Sequence, residues 1–309
     1  MKVVGGGDER HPSAWLALAL VVIAWGFNFV CVKIAFRDWS APALMLARYL
    51  LQLLFFSGVL AGLRLSFKAP KKLWPRILFA GFLGNGVYMV LFMEAMHRMG
   101  SAQGAVTMAT SPLFIALLSA LNGSDKLSRS WAVGTALAFG GVILTNFEGL
   151  LAHEGQSSWL GFGLMLTAAI VWAFAVMVIR PVISELGSIR GMALSMPGAM
   201  AALLPYGIGS LLQTPVSSLP LQAWLSMAYL VTISGSIAFI LYFFAIEKLG
   251  PARATVTQYL IPPTAAVFAW LTLGSHLSFY QIIGLCLALA GVFMAQQGKK
   301  APTQGTIEV

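Results

Sequence analysis

A chain of 309 residues that is 59% hydrophobic and only 9% charged lies far from soluble domains, which run about 45–50% apolar and about 25% charged. Apolar runs of about 20 residues, enough to cross a bilayer core of about 30 Å, recur along its whole length. The formal charge of +9 therefore does not signal nucleic acid, because the basic residues fall in loops between apolar runs, where they orient a membrane protein.

The opening residues, 1–13, with Gly5-Gly6-Gly7, read as a disordered tail. Ten helices are predicted after it, at 14–36, 42–62, 75–97, 102–121, 131–147, 159–180, 190–212, 223–246, 252–273 and 279–297. The first is too long for a signal-peptide core and lacks a small-residue cleavage site, so it is kept as a span. Polar and proline-bearing turns such as Ser40-Ala41-Pro42 and Thr214-Pro215-Val216-Ser217 separate the runs. Cys31 and Cys286 lie inside apolar segments without disulfide or metal-site spacing and read as inert thiols.

Sliding the chain by 150 residues lays Gly84–Asn146 over Ser234–Gln296 without a gap. Ala95, Gly100, Ala102, Val106, Thr107 and Pro112 fall on Ala245, Gly250, Ala252, Val256, Thr257 and Pro262. Gly134, Ala138 and Gly141-Val142 then fall on Gly284, Ala288 and Gly291-Val292. This reads as a duplicated fold, with a first repeat at 14–147, an extracytoplasmic loop at 148–158, a second repeat at 159–297 and a tail at 298–309.

With the N-terminus inside, fifteen of the nineteen Lys and Arg residues fall on the cytoplasmic side, leaving Arg37 and Arg98 outside and Lys33 and Arg48 within spans. Both termini are then cytoplasmic. Five helices per repeat is odd, so the second copy inserts upside down. The fold class is accordingly an all-α integral membrane protein of ten transmembrane helices in two inverted five-helix repeats. Such repeats are a feature of secondary transporters, whose substrate site lies near the midplane.

Interrupted helices at matching positions point to that site. Pro112 in helix four and Pro262-Pro263 in helix nine each remove a backbone donor at mid-span, and the freed carbonyls need a neighbouring helix or a wet cavity. Gln258 and Tyr259 precede the second break. Trp25 and Asn28 in helix one and Trp172 in helix six form another matched set, since each tryptophan precedes a basic residue, Lys33 or Arg180, by eight positions. Buried tryptophan N–H groups want partners; large core fillers are the plain alternative. Asn85, Tyr88 and Phe92 share one face of helix three.

Depth sorts the charges. Glu94 lies near the outer edge, four residues before Arg98, and reads as an ion pair. Lys33 is shallow enough to snorkel. Arg48 lies about 6 Å from the middle of helix two and is a functional candidate, as a partner for a substrate carboxylate or as a cap for helix carbonyls. No span holds a carboxylate near its centre. His11, His97, His153 and His276 lie in tails or at helix ends, with no metal-ligand spacing, and no cofactor motif is present.

Trp25-Gly26-Phe27-Asn28-Phe29-Val30 with Lys33 resembles the first-helix signature "WG-x-NF-x-x-x-K" of EamA-domain proteins in the drug/metabolite transporter superfamily. Ala47-Arg48-Tyr49 is similar to that family's "LRF", and Gly100-Ser101-Ala102 with Ser111-Pro112-Leu113-Phe114 to its "SA…SPLF". The resemblance covers residues 14–297 as two tandem repeats. One departure is the family's "GER" glutamate, replaced by Asp125 and Ser275. The resemblance implies a ten-helix carrier in the inner (plasma) membrane that exports amino acids, other small metabolites or drugs. The expected function is thus a secondary transporter of small amphipathic metabolites, with Trp25, Asn28, Arg48, Tyr88, Trp172, Gln258 and Tyr259 facing substrate. A passive facilitator, a nucleotide-sugar carrier and a membrane-embedded enzyme are the alternatives. The lipid bilayer and a small molecule are the expected partners; a proton as coupling ion and a homodimer stay open, and nucleic acid is not expected.

Overall fold

A computed structural model describes residues 11–121, 128–151, 159–249 and 258–297, and these are helical with short turns. Residues 1–10 and 298–309 of the predicted tails, the turn carrying Asp125, residues 152–158 of the predicted loop and the start of helix nine with Thr257 lie outside the described residues. Ten spans are numbered α1 to α10. They are α1 (Pro12–Ala35), α2 (Ala41–Gly62), α3 (Lys71–Arg98), α4 (Ser101–Met108 and Ser111–Leu121), α5 (Arg129–Leu151) and α6 (Trp159–Leu186). The others are α7 (Ser188–Gln213), α8 (221–249), α9 (Gln258–Leu260 and Ile261–Leu273) and α10 (Phe279–Gln297). Eight of the described helices are long and apolar enough to cross a membrane, and Phe279–Ala295 is a shorter apolar helix.

Helix ends follow local chemistry. α1 begins at Pro12, within the predicted tail, because proline is preorganised for a first turn where its missing N–H has no partner to lose. α6 runs past the predicted end at 180 and through Pro181 to Leu186. It ends where Gly187 takes a φ of +78°, a left-handed conformation that glycine adopts without a Cβ clash.

The packing obeys the repeat. α5 pairs with its own counterpart α10, and α2 with α7. The contact of α3 with α6 is matched by that of α8 with α1, and α4 with α6 by α9 with α1. Direction is read from the glycines between α5 and α10. A Cβ on Gly134 would meet Gly291 and Ala295, whereas one on Gly141 would meet Gly284 and Ala288. Rising numbers on one helix thus meet falling numbers on the other, so equivalent helices run antiparallel and the repeats are inverted. Lipid gives no hydrophobic reason for two apolar helices to meet, and small residues permit the backbone approach that holds them.

The outward faces are apolar as well. Leu16, Leu20 and Ile23 form an exposed stripe at i, i+4 and i+7 on α1, while Ala17, Leu18 and Val21 are buried. A helix apolar all round is what a membrane span requires.

Candidate functional site

The two repeats line one cleft, part of it continuous with the outside. Four local features of the chain shape it.

In α4, Pro112 has no N–H to return to the carbonyl four residues back, so the helix stops at Met108 and resumes at Ser111. Thr110 covers the break: its N–H and its hydroxyl both donate to the Thr107 carbonyl, at 3.2 and 2.7 Å. In α9 the 3-10 turn Gln258–Leu260 leads into Ile261–Leu273, whose first turn holds Pro262. The break therefore precedes the prolines, where the missing donor has no intrahelical partner to lose.

α3 and α8 supply the other two features. Each carries a π-helical stretch, Phe82–Val87 and Tyr229–Ile237, and the two end at residues related by the same slide of 150. A π turn takes an extra residue and shifts the phase of everything after it, and such stretches are frequent at functional sites. That shift separates residues that ideal helical spacing would group. Tyr88 and Phe92 line the cleft, but Asn85 is turned away, donating to Ser195 Oγ at 3.3 Å and lying 3.5 Å from the Tyr49 hydroxyl.

All seven residues singled out as substrate-facing line this cleft, together with Pro112 and Pro262; Pro263 does not. Trp25 donates its indole N–H to the Ser234 carbonyl at 3.1 Å. Ser234 in turn donates its hydroxyl to Asn28 Oδ1 at 2.7 Å, so Asn28 both joins α1 to α8 and faces the cleft. Gln52, buried in α2, fastens the same π stretch by donating to the Gly235 carbonyl at 2.7 Å.

Aromatic rings wall the space. Trp25 packs edge-on to Phe239 at 5.1 Å between centroids, Phe239 lies 6.2 Å from Trp172, and Trp172 lies 5.0 Å from Tyr88. Ser234, Phe239 and Met108 line the cleft without having been picked from the sequence. The slide places Ser234 opposite Gly84, a position with no polar side chain to flag it.

Charge enters through Arg48, which is 2% exposed. Its guanidinium carbon lies 5.9 Å from the Tyr49 ring centroid. Among the described residues, Nε and Nη1 have no hydrogen-bond partner, and no Asp or Glu lines the cleft. Glu94 is elsewhere: it pairs with Arg98 and accepts the hydroxyl proton of Tyr206 from α7.

Comparison with known sequences places this architecture. Residues 12–147 and 159–296 each match the EamA-like transporter family. The chain belongs to that family.

As an EamA-like protein it has relatives along nearly its full length. It is 29% identical over 301 residues, 92% of this chain and 90% of the other, to the "Uncharacterized inner membrane transporter YedA" of Escherichia coli. It is 25% identical over 290 residues, 93% and 94% of the two chains, to the "Probable terminal-alkyne amino-acid exporter" of Streptantibioticus cattleyicolor. A third relative, 25% identical over 289 residues, is the "Probable amino-acid metabolite efflux pump" of Escherichia coli, with 89% and 92% covered. A solved structure, titled "Crystal structure of protein", shares the EamA-like fold with a TM-score of 0.63 at 17% identity, over 92% of this chain and 96% of that one.

Proposed function

We propose that this EamA-like transporter exports small amphipathic metabolites, amino acids or compounds related to them, by alternating access of its inverted repeats to the cleft. The observation that carries the reading is the convergence of residues from α1, α2, α3, α4, α6, α8 and α9 on one space, bounded by the breaks at Pro112 and Pro262. A site built from both repeats opens to opposite sides as the repeats exchange shapes. Relatives named as an amino-acid exporter and a metabolite efflux pump support the direction and the substrate range.

In this reading Trp25, Tyr88, Trp172 and Tyr259 hold the apolar body of the substrate, Asn28 and Gln258 bond its polar groups, and Arg48 meets a carboxylate. The bias of Lys and Arg toward one side supports cytoplasmic termini, and the relative named as an inner membrane transporter supports that membrane as the location.

Uptake of a radiolabelled metabolite panel into inside-out vesicles, with and without a proton gradient, tests the proposal. Gradient-dependent accumulation that Trp172→Ala and Gln258→Ala abolish at equal expression is the expected result. Normal transport by both variants would show that the cleft is not the substrate site.

A further inference from the structure

Resting on that reading of the cleft, we infer that it prefers amphipathic carboxylates carrying net negative charge, with the amine absent or masked, over free zwitterions and cations.

The argument begins with desolvation. A guanidinium taken out of water loses hydration that only partners can replace, and a charge inside a membrane span is retained where a pathway needs it. Arg48 is almost fully buried, yet among the described residues Nε and Nη1 find no acceptor. Among the described residues no carboxylate lines the same space, and Glu94, five residues along α3 from Met89, is engaged by Arg98 and Tyr206. Arg48 therefore holds an uncompensated positive charge at the cleft wall, and a guanidinium's planar geometry fits two carboxylate oxygens at once.

What the cleft lacks decides the rest. An ammonium needs acceptors, preferably charged. At the cleft wall Asn28 Oδ1 already accepts from Ser234 and the Ser234 carbonyl from Trp25; other acceptors there, such as Gln258 and Ser111, are neutral. The ring faces of Trp25, Trp172 and Tyr88 offer a cation–π surface. Those rings, however, pack on one another, and Arg48 lines the same space, where like charges repel strongly because the dielectric is low. An apolar body against the rings and a carboxylate on Arg48 match the cleft; an added ammonium meets no carboxylate among the described lining residues and is repelled by Arg48.

Three probes with one ring system and different charge test this: 3-phenylpropionate, phenylalanine and phenethylamine, which are anion, zwitterion and cation at pH 7. Radiolabelled probes are bound to the purified full-length chain in lipid nanodiscs. The expected order is 3-phenylpropionate tightest, phenylalanine about tenfold weaker and phenethylamine weaker still. Arg48→Gln removes the preference, and Arg48→Lys, which keeps the charge but loses the fork, keeps the order with weaker binding. Should Arg48→Gln fail to fold, the order on the wild-type chain decides alone. Tighter binding of phenylalanine or phenethylamine to the wild-type chain, or an unchanged preference in a folded Arg48→Gln, would overturn the inference while leaving the cleft as the site. Absence of binding by all three would overturn both this inference and the proposed site.

Discussion

Two neighbouring glycines in α5 carry opposite expectations. Gly140 has nothing within 4 Å of the position a Cβ would take, whereas a Cβ on Gly141 would run into the backbone of α10 at Gly284 and Ala288. Replacing a helix-interior glycine by alanine gains roughly 0.5–1 kcal/mol from reduced freedom of the unfolded chain. At Gly140 nothing opposes that gain, so Gly140→Ala stabilises by the full amount. At Gly141 the methyl meets main-chain atoms, which cannot rotate away, and overpacking costs about 1–3 kcal/mol. Taking the upper part of that range, Gly141→Ala destabilises by a net ~2 kcal/mol, the overpacking cost less the same backbone gain. Denaturant titration of the purified chain in detergent, followed by circular dichroism, reads both. Adding Gly284→Ala to Gly141→Ala should cost less than the sum of the single changes, because the first methyl already parts the helices at the shared crossing. Equal stabilisation by Gly140→Ala and Gly141→Ala would refute the close antiparallel approach of α5 and α10, and with it the strongest evidence for inversion.

Other perturbations separate structural polar groups from those of the cleft. Tyr206→Phe removes the hydroxyl that donates to the Glu94 carboxylate; loss of a hydrogen bond to a charged group costs about 1.5–3 kcal/mol of stability. Transport by the folded variant should persist, and its loss would draw Glu94 into the mechanism. Trp25→Phe keeps a ring against Phe239 and Tyr242 but deletes the N–H bonded to Ser234, for which about 1 kcal/mol of stability is the expected cost. A larger loss in substrate affinity than in stability would show that the indole N–H also serves the ligand. In a chain freed of Cys31 and Cys286, Leu16→Cys should resist a charged thiol reagent because its exposed face is apolar and covered by lipid, whereas Ser111→Cys, on the cleft, should react.

The duplicated register was legible because glycine, proline and alanine recur at fixed positions, and those small residues are the ones that set helix breaks and close crossings. Pro112 and Pro262 could be placed at breaks for the same reason: a missing N–H acts locally, whatever surrounds it. Trp25, Asn28, Arg48 and Trp172 could be picked because buried tryptophan, amide and guanidinium groups are costly in a membrane and hence conspicuous, Tyr88 from its helix face, and Gln258 and Tyr259 from the break they precede. Burial was not legible. Met45 and Leu46 are fully buried while Leu51 and Leu54 face outward, and no difference in residue type separates them, since lipid and protein interior are equally apolar. Phase was lost too. Ideal helical spacing groups Asn85 with Tyr88 and Phe92, but the π stretch at Phe82–Val87 rotates it toward α2 and α7. The fastening of Gly235 by Gln52 depends on two residues 183 positions apart in the chain, a relation no local pattern encodes.

Labelling of Ser111→Cys by an impermeant thiol reagent, in a chain lacking Cys31 and Cys286, tests alternating access to the cleft most directly. The reagent is applied to right-side-out and inside-out vesicles in turn, with and without a transported metabolite. Alternating access to one site predicts reaction from both faces, each suppressed by the metabolite over the same concentration range. Reaction from one face alone, or labelling indifferent to the metabolite, would contradict it.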